Sequence, residues 1–162
     1  MSARAGLTLL SISVATLAAL GSAPPAAQAQ PADQGVAVLG HVNAVRAAHG
    51  CGPVRADPQL TAAAARQAHD MLANGVQGHT GSDGSSVAQR VTAAGYSYAA
   101  LGEVMFWGTG TAGTPANAVT WWMNSPGHRA VLLDCGLTDA GFSAVSNGTK
   151  LAAVGEFGTR QR

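Results

Sequence analysis

Trp121-Trp122-Met123-Asn124-Ser125-Pro126-Gly127-His128-Arg129 is the stretch from which the rest of the 162-residue chain can be placed. Two adjacent Trp residues cannot share one narrow face of a helix, so one enters the core and the other lies at its edge. Ser-Pro-Gly then breaks the helix, because Pro lacks a backbone donor and Gly tolerates positive φ. His128 and Arg129 follow at the start of a second helical turn. Such an arrangement fixes polar groups at the rim of a cleft while an aromatic ring seals the core beneath. His79 and Glu103 are the distant side chains best placed to meet it.

Composition narrows the function classes. The net charge is +1, charged residues make up 10% of the chain and aromatics 5%. Neither a basic patch nor interleaved aromatics that stack bases is present, which disfavours nucleic acid as a partner. Met1 to Ala29 has the pattern of a secretory signal peptide: Arg4, an apolar run from Leu7 to Leu20, and the small-x-small site Ala27-Gln28-Ala29. A membrane anchor is the competing reading. The run is short for a spanning helix and no basic stop-transfer cluster follows it. Gly21-Ser22-Ala23 is a second cleavage option. The expected organisation is a signal peptide over 1–29, a linker over 30–35 and one domain over 36–162, secreted, without a membrane span after cleavage, and monomeric. An exported chain whose two cysteines are Cys51 and Cys135 has one possible disulfide. The alternative is two free buried thiols.

Along the mature chain, a helix is expected from near Asp33 to Ala48, with Val38, Val42 and Val45 on one face and Asn43 and Arg46 on another. Gly50-Cys51-Gly52-Pro53 stops it. Asp57-Pro58 reads as an N-cap followed by Pro at the first helical position. Leu60, Ala64, Ala68, Met71 and Leu72 form the apolar stripe of that helix, and Asn74-Gly75 ends it. His69 lies off the stripe and reads as a surface or core-edge residue rather than a ligand. His79 sits in Gly78-His79-Thr80-Gly81-Ser82-Asp83-Gly84, either exposed filler or a positioned group. A short helix capped by Ser85 or Ser86 runs through Arg90 to Ala94. Tyr96 to Trp107 reads as the first strand, with Glu103 its one charge. A lone carboxylate in an apolar strand needs a partner or points to solvent. Gly108 to Gly113 reads as a loop, and Thr114-Pro115 opens the helix carrying the Trp pair. Asp139–Val145 and Thr149–Phe157 read as strands joined across Ser146-Asn147-Gly148, since Asn-Gly is a strong hairpin signal. This order gives an α+β protein with helices on both sides of a small, mostly antiparallel sheet.

His79-Thr80-Gly81-Ser82-Asp83-Gly84, Gly102-Glu103 and Trp122 to Arg129, with Asn43, Arg46, Asp57-Pro58 and Leu60, resemble the CAP, or SCP, domain of cysteine-rich secretory, pathogenesis-related and venom antigen proteins. The Ser-Pro-Gly-His-Arg block resembles the bacterial branch. The resemblance spans about Val36 to Phe157 and implies a three-layer α-β-α sandwich with a central cleft. It also implies a cleft tetrad of two His and two Glu, which in some members holds a divalent cation, often zinc. His79 and Glu103 match the first His and first Glu. The place of the second Glu is taken by Ser125, and Thr149 to Phe157 offers no second His, for which His128 is the spatial substitute. A metal set of His79, Glu103 and His128, holding Zn or another divalent cation, stands beside a second reading: Glu103 accepting hydrogen bonds from both imidazoles.

Three functions follow. The resemblance favours a non-catalytic module whose cleft, formed by His79, Glu103, Ser125, His128 and Arg129, takes a lipid or sterol. A hydrolase would use His79 or His128 as base, Glu103 to orient it, and Ser125 or a metal-bound water as nucleophile. An envelope role would bind a wall component or a protein partner.

Overall fold

The computed structural model describes residues 32–161, so the signal-peptide expectation over 1–29 lies outside the described residues. The chain forms α1 (Gly35–Ala48), β1 (Arg55–Ala56), α2 (Pro58–Asn74), α3 (Val87–Ala93), β2 (Tyr98–Thr109), α4 (Pro115–Asn124), α5 (Pro126–Leu132), β3 (Asp139–Ser146) and β4 (Lys150–Arg160). Local chemistry sets most of these boundaries. The Asp57 carboxylate accepts from the N–H groups of Gln59 and Leu60, and Gly75 closes α2 at φ 69°. Ser86 and Gln89 form a reciprocal capping box on α3, and the Thr114 hydroxyl accepts from Asn117 N–H at the start of α4. Ser125 ends α4 and precedes α5, whose first residue is Pro126.

Trp122 is fully buried and its indole N–H donates to the Met105 carbonyl at 2.9 Å, so α4 is stapled to β2. Trp121 remains 48% exposed, which is the division of labour expected of the pair. The sheet runs β1-β3-β4-β2, with β1 parallel to β3 and the other pairs antiparallel. Alternation along the strands separates two cores. Val104, Phe106, Phe142, Ala153 and Phe157 pack against α1, α4 and α5 through Val38, Val42, Ala118, Trp122 and Leu132. Met105, Val145, Ala152 and Val154 face the other way, onto Ala64, Ala68 and Met71 of α2. The result is the expected three-layer α-β-α sandwich. Gly141 allows α2 to lie against β3, since a Cβ there would sit 1.9 Å from the Thr61 nitrogen.

Four details depart from expectation. The first strand in chain order is the two-residue β1, which has no apolar alternation to announce it. Strand β2 begins at Tyr98, because buried Tyr96 instead donates its hydroxyl to Asp139 at 2.8 Å. Gly108 and Thr109 extend β2 by pairing with Leu151 and Lys150, and Gly110–Ala112 form a 3-10 turn in what reads as a loop. Arg46 does not merely share a face with Asn43. It is buried and donates to the carbonyls of Gly52, Leu132, Asp134 and Leu137, tying α1 to the end of α5. Cys51 and Cys135 are disulfide-bonded, closing a separation of 84 residues. Asp33 accepts from the Ser143 hydroxyl and the Ala144 N–H, which fastens the approach to α1 onto β3.

Candidate functional site

Glu103 and Glu156 are the two glutamates of the chain, and they sit opposite each other on β2 and β4. Both point to the α2/α3 side of the sheet, where Arg90 of α3 reaches them. An Arg90 amino group lies 2.6 Å from one Glu103 oxygen and 3.9 Å from Glu156. His79 Nδ1 contacts the other Glu103 oxygen at 2.6 Å. Arg90, Glu103 and Glu156 are buried, whereas the His79 side chain is 55% exposed.

The same guanidinium places the loop. Arg90 donates to the carbonyl of His79 at 3.1 Å and to that of Ser85 at 2.9 Å. Gln67 donates to the Gly78 carbonyl, and Asp70 accepts from the N–H and hydroxyl of Ser82. His79 is therefore a positioned group rather than filler among glycines. Its ring is held on Glu103 while its other edge faces outward.

Charge distribution follows from these contacts. Burial alone would raise the Glu103 pKa, but its hydrogen bond with His79 and the charge and hydrogen bond of Arg90 outweigh that and hold it below the ordinary value. Glu156 goes the other way: burial first, then the negative charge of Glu103, push its pKa well above the ordinary value. As a carboxylate, Glu156 would have no hydrogen-bond donor to either oxygen. As a neutral acid it avoids placing a second buried negative charge opposite Glu103. The hydrogen bond to Glu103 raises the His79 pKa, with burial opposing it.

Ser125 and His128 form a second pair, with the hydroxyl 2.8 Å from His128 Nδ1. The His128 ring also lies against Trp121, at 4.9 Å between centroids. Its pKa is lowered, first by burial and then by the nearby charge of His79. Among the described residues, Glu103 takes its hydrogen bonds from His79 and Arg90, not from His128. The second partner expected of Glu103 is thus a guanidinium: Arg90 reaches the carboxylate from α3, and Ser125 already holds Nδ1 of His128. Arg129 is exposed and lines a separate hollow with Met123, Asn124, Pro126, Ala130 and Leu133.

An open groove of about 460 Å³ runs beside His79 and Glu103, walled by Val87, Ala88, Tyr98, Leu101 and Gly102. The metal set of the resemblance does not suit this centre. Both Glu103 oxygens are engaged, a permanent guanidinium charge lies against the carboxylates, and no group of three or more His, Cys, Asp and Glu among the described residues has metal-site geometry. Sequence reasoning missed Arg90 and Glu156. Glu156 carried the same signal as Glu103, a lone carboxyl within the apolar run Leu151–Phe157.

The profile of the cysteine-rich secretory protein family, CAP, matches residues 39–157. The chain belongs to this family. Solved structures agree at the level of fold. An outer surface protein from Borrelia burgdorferi is 20% identical, with TM-score 0.70 over 78% of this chain and 92% of that one. An extracellular SCP-domain protein from Bacillus anthracis is 20% identical, with TM-score 0.66 over 79% of this chain and 40% of that one. A cysteine-rich secretory protein from Staphylococcus aureus is 14% identical, with TM-score 0.59 over 78% and 39%. No curated protein matches the chain significantly. No helix among the described residues is long and apolar enough to cross a membrane.

Proposed function

We propose that this CAP domain is an exported, non-catalytic binding module whose groove beside His79 takes a small ligand with an apolar body and one polar head. The observation that carries the reading is the groove itself, of about 460 Å³, with Val87, Ala88, Tyr98 and Leu101 around the exposed edge of His79. Its size falls in the range of small-molecule sites, and a mostly apolar wall with one fixed polar group is the usual recipe for them. The body of a sterol or fatty chain suits the wall, and its hydroxyl or carboxylate suits the free imidazole nitrogen. Export is supported by the signal-peptide pattern over residues 1–29 and by the disulfide. Extracellular or outer-surface location is also what the names of two structural neighbours state for those proteins.

Titration with a fluorescent fatty acid and a fluorescent sterol tests this. Saturable binding of one of them is expected, abolished by Ala88→Arg, which fills the groove from α3, and weakened by His79→Ala. Binding of neither probe, or identical binding by the filled variant, contradicts the reading.

The Ser125–His128 contact favours a second reading, a serine hydrolase in which His128, its pKa lowered, is the base. The pair is also the N-cap and third helical residue of α5, where Ser and a polar partner commonly meet for structural reasons. Among the described residues no carboxylate bonds to His128 to orient it, so the binding module is preferred. Covalent labelling of Ser125 by a fluorophosphonate, lost in His128→Ala, would reverse that preference.

A further inference from the structure

The polar centre holds two facing carboxyls and an imidazole, yet the charge opposite them is supplied from within the chain. One Glu103 oxygen is taken by His79 Nδ1 and the other by Arg90, each at 2.6 Å, and the guanidinium stands 3.9 Å from Glu156. Arg90, Glu103 and Glu156 are all buried, so little water screens the charges among them. Arg is not deprotonated in proteins, so this charge is permanent. Nor can the guanidinium swing aside freely, because its other amino group is held by the His79 and Ser85 carbonyls.

We infer that Arg90 is the resident cation of this centre and the residue that keeps a divalent ion out of it. A metal ion here would ligate through the carboxylate lone pairs, and its double charge is disfavoured beside a fixed cation. Here the lone pairs of Glu103 already accept hydrogen bonds, and an incoming dication would meet a fixed positive charge in a medium of low dielectric. Glu103, Glu156 and His79 supply the donor types of a divalent-cation site, two carboxyls and one imidazole, but as Arg90 holds them they lack its geometry. Removal of the guanidinium charge leaves that set facing an uncompensated cavity. Arg90 thus decides the chemistry of the cleft: with it, a self-neutralised polar floor beneath an apolar groove; without it, a latent divalent-cation site.

The two glutamates make the test local. Glutamate-selective 13C labelling gives one side-chain carboxyl signal each for Glu103 and Glu156 and for no other residue. Zn²⁺ added in excess to the wild-type protein is expected to leave both signals in place. In Arg90→Gln, which removes the charge, both signals are expected to shift and to saturate near about one equivalent of Zn²⁺. Zn²⁺ captured by the exposed imidazoles of His41, His49 and His69 does not move these signals. A saturable shift in the wild type overturns the inference, as does a folded Arg90→Gln protein whose signals ignore Zn²⁺. Arg90→Met is a second uncharged variant, and if neither variant folds the wild-type titration alone decides. The groove reading, on which this rests only for the position of the centre, is judged separately by the metal-free probe titrations.

Discussion

Glu103 and Glu156 are the same residue type on facing strands with opposite charge preferences, so their amide variants should behave oppositely. Glu103→Gln leaves the buried Arg90 guanidinium without its carboxylate, a loss of about 3–5 kcal/mol by analogy with broken buried ion pairs. The Glu103 pKa is lowered in the fold, so its contribution is present above the unfolded value and is lost as pH falls through the folded one. The deficit of the variant should therefore narrow toward acid pH. Glu156 has a raised folded pKa, so its contribution is fully present below the unfolded value and is lost as pH rises through the folded one. Glu156→Gln keeps the shape of the neutral acid without that loss. Urea unfolding should show it matching the wild type at pH 4 and equalling or exceeding it at pH 8. A Glu156→Gln protein several kcal/mol weaker than wild type at pH 8 would show that this carboxyl is charged. His79 adds a smaller, solvent-screened contribution of its own: with a raised folded pKa, its share is present below the usual histidine value and fades as pH rises through the folded one.

Close approach governs the elements. Helix α2 meets the sheet where β3 carries Gly141, and a methyl there would fall within van der Waals radii of the α2 backbone. The colliding atoms are main chain, so relief requires α2 to move off Ala64, Ala68 and Met71 contacts as a unit. Gly141→Ala should cost about 1–3 kcal/mol or more as an overpacking change, read as a lowered Tm. An unchanged Tm would mean that α2 does not lie on β3 in this way. The elements were largely legible in the sequence because their signals are local: Asp57-Pro58 and Asn74-Gly75 bracket α2, Thr114-Pro115 opens α4, Ser-Pro-Gly separates α4 from α5, and Asn147-Gly148 turns β3 into β4. The two-residue β1 was not legible, since it pairs by position beside β3 rather than by any pattern of its own.

The whole molecule depends on contacts that sequence periodicity does not encode. Arg46 and Arg90 look like surface arginines on helices, yet each is buried and gathers distant backbone or carboxyl oxygens at its tip. A long side chain can reach such partners from many helix positions, so the partner rather than the spacing decides its fate. For that reason His79 and Glu103 could be paired from the sequence through the family resemblance, while Arg90 and Glu156 could not. At this scale the Cys51–Cys135 bridge also restrains the unfolded chain, by roughly 4–5 kcal/mol for a loop of this length on the chain-entropy model. Reduction should lower the Tm substantially, and thiol titration of the unreduced protein should find none free. Two titratable thiols, or a Tm indifferent to reductant, would contradict the bridge.

The central claim is that one buried guanidinium and one exposed imidazole hold Glu103 as a carboxylate opposite a protonated Glu156. Following both glutamate carboxyl signals by 13C NMR from acid to alkaline pH tests it most directly. The account predicts one signal that titrates below the ordinary glutamate range and another that stays protonated well above it. Two signals titrating together near the ordinary value would contradict it.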